Sequence, residues 1–178
     1  MSKVVSLRHY QPSDIDAIWE AVEESKRELA RWLAWCHDEY SCEDVRAWVE
    51  GRPAAWDNNE EWGFVVEDEN ERLLGVCGIH RIAMKHRVGE LGYWVRTSAT
   101  GQGTATQAAR QICEWAFREQ SLHRIEIFVD VENLPSQRVA TRIGGVCEGT
   151  LRERLFVQDQ PHDCKLFAVL RDTHVESD

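Results

Sequence analysis

No stretch of the chain is apolar for long enough to cross a membrane, which in a helix takes about 20 consecutive residues. The first residues, Met1-Ser-Lys-Val-Val5, lack the apolar segment of a secretory leader, so the expected location is the cytoplasm, with no membrane partner. Positive charge is in short supply. Against 31 Asp and Glu stand 21 Lys and Arg, a net charge of -10. That balance argues against general nucleic-acid binding, whose footprint is a basic surface, and favours a cationic partner such as an amine. None of the six cysteines, Cys36, Cys42, Cys77, Cys113, Cys147 and Cys164, forms Cys-x-x-Cys, and they read as buried free thiols. The seven histidines make neither His-x-x-x-His nor His-Glu-x-x-His, so no metal site is expected. Repeats, low-complexity tracts and linkers are also missing. Residues 1–178 therefore read as one domain, long enough to close a core.

Tryptophan, by contrast, is plentiful: eight copies, of which Trp19, Trp32, Trp35, Trp48, Trp56 and Trp62 fall before residue 63. Trp19 and Trp48 sit on apolar helical stripes and read as core. Trp32 and Trp35 suit either the packing of short helices or an aromatic wall around a substrate.

Periodicity and turn residues give the order of elements. Val4 to Arg8 is a strand. A helix starts at Ser13 or Asp14, and a second short helix covers Arg27 to Trp32. Ser41-Cys-Glu-Asp44 opens a third helix in the manner of a capping box, and Gly51-Arg-Pro53 ends or breaks it. Strands follow at 62–68, 73–82 and 90–95, with Gly75 and Gly78 marking a bulge or a close backbone approach. A helix runs to about Gln120, then a strand at 124–131, a helix at 135–143, and strands at 146–157 and 162–170. The polar tail from Arg171 to Asp178 is expected to fray. The fold class is α/β (α+β): a mixed sheet of about seven strands flanked by helices.

The most informative stretch is Glu90-Leu-Gly-Tyr-Trp-Val95, a five-residue link, and Gly101-Gln-Gly-Thr-Ala-Thr106 opening an amphipathic helix. A helix start carries unpaired N–H groups and the positive end of the helix dipole. Glycines there let a phosphate approach the main chain. The same pattern also serves as a plain strand-to-helix turn. It is not a Walker loop, because no Lys follows the glycines. A dinucleotide-binding oxidoreductase would place Asp130 on a ribose, but its fingerprint starts directly off a strand and ends in Gly or Ala, where this chain has Thr106.

Glu90-Leu-Gly-Tyr-Trp-Val95, Gly-x-Gly-x-Ala-Thr, and Asp130-Val-Glu-Asn133-Leu-Pro-Ser136-Gln-Arg-Val-Ala140 together resemble the core of the GNAT acyltransferases, most nearly the RimJ/RimL-type N-acetyltransferases, from about Leu7 to Leu170. That family usually carries Gln or Arg before the first glycine, where Thr100 stands here. The resemblance implies a GNAT-like, mostly antiparallel sheet whose central strands splay apart around acetyl-CoA, and transfer of the acetyl group to an amine without a metal. It implies that the amides of Gly101, Gln102, Gly103, Thr104, Ala105 and Thr106 hold the pyrophosphate. Main-chain groups of Tyr93, Trp94, Val95 and Arg96 would pair with the pantetheine, with a Trp94 or Val95 N–H on the thioester oxygen. Asn133 and Ser136 match the family's Asn-x-x-Ser pattern, Asn133 on the pantetheine and Ser136 as the catalytic hydroxyl at the sulfur; both residues are also ordinary helix caps. Arg138 is a candidate for the 3′-phosphate. Glu90, then Glu153, are the candidate bases, each equally a solvated strand charge. Trp32, Trp35, His37, Tyr40 and Phe156 are the candidate acceptor residues. The acceptor is a protein N-terminal amine or a small-molecule amine, and a homodimer is plausible from the family. A non-catalytic acyl-CoA-binding sensor would share the same signature.

Overall fold

A computed structural model describes residues 4–173 of the chain. Strand β1 (Val5–His9) leads through a short 3₁₀ turn, Pro12–Asp14, into α1 (Ile15–Leu29) and α2 (Cys42–Asp57). Then come β2 (Glu61–Asp68), β3 (Leu73–Ala83), β4 (Val88–Val95), α3 (Thr104–Glu119), β5 (Arg124–Asp130), α4 (Leu134–Arg142), β6 (Val146–Val157) and β7 (Gln160–Leu170). The seven strands form one sheet in the order β1-β2-β3-β4-β5-β7-β6. Every pairing is antiparallel except β4 with β5. The expected sheet is therefore present. Of the tail, Arg171–Thr173 makes a 3₁₀ turn, and the frayed end expected beyond it lies outside the described residues.

Two helix boundaries differ from expectation. No separate helix covers Arg27 to Trp32. Instead α1 runs unbroken to Leu29, because Ile15, Ile18, Ala21, Val22, Ser25 and Leu29 form one continuous buried stripe, and turns carry the chain on through Trp32. Pro53 does not end α2. It lies inside the helix on an exposed position, and the buried Ala55 and packed Trp56 hold the last turn in place. Arg52 donates its Nε to the Trp48 carbonyl at 2.8 Å, next to the carbonyl that Pro53 cannot serve. The capping box at Ser41 and Asp44 forms as read.

Alternation along the strands separates two cores. Phe64 and Val66 join Ala108, Ala109, Ile112, Cys113 and Ala116 of α3 on one face; Val65 joins Ile18, Val22, Val45 and Val49 of α1 and α2 on the other. Gly75 allows β3 to pass close to β4: a Cβ there would lie 2.2 Å from the Trp94 carbonyl oxygen.

Candidate active site

The site begins where strand pairing stops. Strand β4 pairs with β3 from Val88 to Val95, yet with β5 only from Val88 to Glu90, opposite Arg124 to Glu126. Beyond Glu90 the two parallel strands part, and the main chain of 91–95 has no strand partner on that side. Tyr93 reaches across the opening. Its hydroxyl lies 2.8 Å from Ser136 Oγ and 3.3 Å from the Ser136 carbonyl oxygen. Burial pushes the phenol up to about 12, against a smaller opposing effect of the Ser136 bond, so Tyr93 is a neutral donor at pH 7. Ser136 is held in turn by Asn133, the N-cap of α4, whose Oδ1 accepts from the Ser136 amide at 3.1 Å.

A cavity of about 550 Å³ occupies this opening. Trp32, Trp35, Tyr40, Trp48 and Trp94 line it together with Tyr93, Asn133 and Ser136, and with Glu90 and His80. Neither Lys nor Arg lines it among the described residues. The Glu90 carboxylate is held from two sides, with Oε1 3.2 Å from His80 Nε2 and Oε2 3.0 Å from Arg81 Nη1. Burial pushes its carboxyl up, but the His80 bond and the charges of His80 and Arg81 outweigh it and leave the carboxyl below its usual range.

The glycine loop lies at the start of α3. Gly101 and Gly103 have φ of 72° and 83°, the left-handed region that favours glycine. The first main-chain bond of the helix runs from the Gln107 amide to the Gly103 carbonyl at 3.0 Å. The amides from Gly101 to Thr106 have no acceptor among the described residues. A run of free N–H groups at a helix start fits a diphosphate without a metal. Beside the loop, Gly103, Thr106, Gln107, Arg110, Gln111 and Arg142 line a second depression of about 270 Å³, which adds two guanidinium groups.

The other sequence candidates are dispersed. His37 is exposed and stands edge-on to Tyr40 at 6.1 Å, outside the cavity lining. Glu153 and Phe156 are exposed on β6 and line neither cavity; Leu155 lines the first in their place, because β6 shifts register between Leu151 and Leu155. Arg138 is exposed on α4, away from both cavities. Trp94 turns its side chain into the cavity, while Val95 packs on the α3 side. Arg96 is spent on the scaffold: its amide donates to the Leu74 carbonyl at 2.7 Å, and its buried guanidinium binds Glu20 at 2.6 Å and also Glu24. His80, the Tyr93 hydroxyl, Arg110 and Arg142 had no signal in the sequence. Each depends on which strand or helix lies next to it.

The path from β4 to the loop passes through a 3₁₀ turn, Thr97–Ala99, and β4–β5 is the one parallel pair in the sheet. A dinucleotide-binding fold needs a series of such units, so that alternative does not match.

Residues 5–146 match the family described as Acetyltransferase (GNAT) domain. Over 173 residues the chain is 28% identical to the ribosomal-protein-serine acetyltransferase of Escherichia coli K12, covering 97% of this chain and 96% of the relative. It is 29% identical over 118 residues to the spermidine N(1)-acetyltransferase of Vibrio cholerae, covering 66% of this chain and 68% of that one. The structure of Mycobacterium smegmatis RimJ in complex with CoA-disulfide matches with a TM-score of 0.91 at 27% identity, over 99% of this chain and 86% of that one.

Proposed function

The chain belongs to the GNAT acetyltransferase family, and we propose that its cleft, within a single domain, passes an acetyl group from acetyl-CoA directly to a primary amine in a ternary complex. One observation carries this reading. The glycine-loop amides lack acceptors among the described residues, the edge of β4 past Glu90 is unpaired toward β5, and a cavity with a carboxylate and aromatic rings lies against that same strand.

Each part of the opening has a task. The amides of 101–106 hold the diphosphate, and Arg110 and Arg142 supply positive charge beside it. The free edge of β4 from Leu91 to Val95 offers main-chain groups to the pantetheine amides, and an N–H at Trp94 or Val95 points its partial charge at the thioester oxygen. When bound, the thioester supplies the acetyl group. The Tyr93 hydroxyl shares a hydrogen bond with Ser136 Oγ; with Tyr93 as the donor, the Ser136 proton is free to face the sulfur side of the cleft. Glu90 makes the acceptor end anionic, drawing in an ammonium group, and Trp32, Trp35 and Tyr40 enclose its apolar stem.

The acceptor is a protein N-terminal amine or a small amine. Relatives named for a ribosomal-protein serine and for spermidine support both classes and a cytoplasmic setting. The exposed apolar residues Val146 and Phe156 on edge strand β6 support a homodimer through that face. Purified protein given acetyl-CoA and a panel of amines and N-terminal peptides releases free CoA thiol and yields acetylated product by mass spectrometry. Acetyl-CoA binding with no turnover across the panel would instead establish a sensor.

A further inference from the structure

His80 is not explained by the roles above. It stands on β3 directly opposite Glu90 of β4, with Nε2 against Glu90 Oε1 at 3.2 Å. The other edge of its ring lies over Gly92, where a Cβ would meet His80 Cε1 at 2.9 Å and Nδ1 at 3.4 Å. Any larger residue at position 92 would have to displace the ring. Both His80 and Gly92 line the cavity, and the His80 side chain is 33% exposed, so it is reachable from it. Among the described residues the imidazole makes no other hydrogen bond, which leaves Nδ1 with a free lone pair when Nε2 carries the proton.

Resting on the acetyltransferase reading, we propose that His80 is the general base of the acceptor site and that Glu90 is its positioning residue. The acceptor arrives as an ammonium ion. One of its N–H bonds breaks, the proton passes to His80 Nδ1, and the electron pair stays on nitrogen as the lone pair that attacks. The imidazolium so formed keeps Nε2–H on the Glu90 carboxylate, which balances its charge. Three facts favour this division of labour. Both oxygens of Glu90 are already engaged, by His80 and by Arg81. Its carboxyl lies below the usual range, which makes it a poor proton acceptor but a durable anion. An imidazole, by contrast, ordinarily titrates near ~6.5, close to the working pH of a base in neutral solution. Charged neighbours on the adjoining strands are already paired: Arg81 with Glu90, Glu61, opposite His80 on β2, with Arg52, and Glu126, opposite Glu90 on β5, with Arg124.

The test needs two readouts. The first is independent of turnover. Nitrogen-15 NMR of the imidazoles in the free protein should find the Nε2–H tautomer of His80. In Glu90→Gln the Nε2–H tautomer should lose its dominance, because the carboxylate that accepts from it is gone. The second is kinetic. His80→Gln should lower kcat about 100- to 1000-fold and remove the acid limb of the pH–rate profile, with acetyl-CoA affinity and Tm kept. Gly92→Ala, which displaces the ring but removes no titrating group, should lower kcat about tenfold. A His80 tautomer indifferent to Glu90→Gln, or wild-type kcat in His80→Gln, would overturn the assignment. A folded wild-type protein that acetylates no amine would sink the acetyltransferase reading, while the NMR tautomer would still decide the His80–Glu90 pair.

Discussion

The two faces of the sheet are built from different materials. On the α3 face the helix presents Ala108, Ala109, Ile112, Cys113 and Ala116, all essentially inaccessible to solvent. Small residues at helical spacing let the helix settle close on the strands, and burial pushes the Cys77 and Cys113 thiols up, so they stay protonated and inert. On the α1–α2 face, large rings converge from separate elements, Trp35 and Tyr40 from the link between α1 and α2, Trp48 from α2 and Trp94 from β4; all four are only partly buried, and a cavity of about 550 Å³ lies among them. Rigid rings brought together from separate elements cannot interdigitate as alanines on one helix do. The difference separates stability from function within one thin sheet, because the closed face anchors strands whose opposite side remains open to ligand.

That contrast can be broken from either side. Ile112→Ala should cost about 2–5 kcal/mol of stability, read as a fall in urea midpoint, with the acceptor KM of the folded enzyme unchanged. Trp35→Ala should do the reverse, changing Tm little and raising acceptor KM about tenfold, because Trp35 walls the cavity and is already half-buried. Gly103→Val places a branched side chain at φ 83°, which costs about 1–2 kcal/mol and crowds the loop amides; acetyl-CoA affinity by calorimetry should drop by about tenfold. Tyr93→Phe removes one hydrogen bond worth about 1 kcal/mol, and should lower kcat several-fold while acetyl-CoA affinity holds. Equal kcat in Tyr93→Phe and wild type would remove the phenol from the thiol side of the cleft.

The smallest effect concerns acid. Glu24 is held down to about 2 by its bonds to Arg96 and Ser98, against an ordinary 4.5. A lowered folded-state value means the pair stabilises fully above about pH 4.5 and is lost as pH falls toward 2. Glu24→Gln should therefore flatten the acid limb of Tm against pH over that window and leave Tm at pH 9 little changed relative to pH 7. An unaltered acid limb would show that Arg96 is anchored by Glu20 and the Leu73 carbonyl alone.

Much of the molecule was legible because it is local. The α3 stripe, the capping box at Ser41, the Asn133 cap and the glycines at positive φ each follow from residues within a turn or two. The misread boundaries were places where packing overrode local signals: Pro53 stayed inside α2, and α1 continued past Arg27. Among acceptor candidates, Trp32, Trp35 and Tyr40 reached the cavity while His37 and Phe156 did not, since chain proximity does not fix which way a turn or a bulged strand faces.

By itself, then, the sequence determined the order of helices and strands, and the loop of bare amides, because periodicity and turn chemistry act over a few residues. Only tertiary structure decided that β4 leaves β5 after Glu90, that Tyr93 meets Ser136 from 43 residues away, and that His80 faces Glu90 over Gly92. Those contacts depend on strand register and on the separation of two strands, and a shift of one residue would turn each side chain to the opposite face.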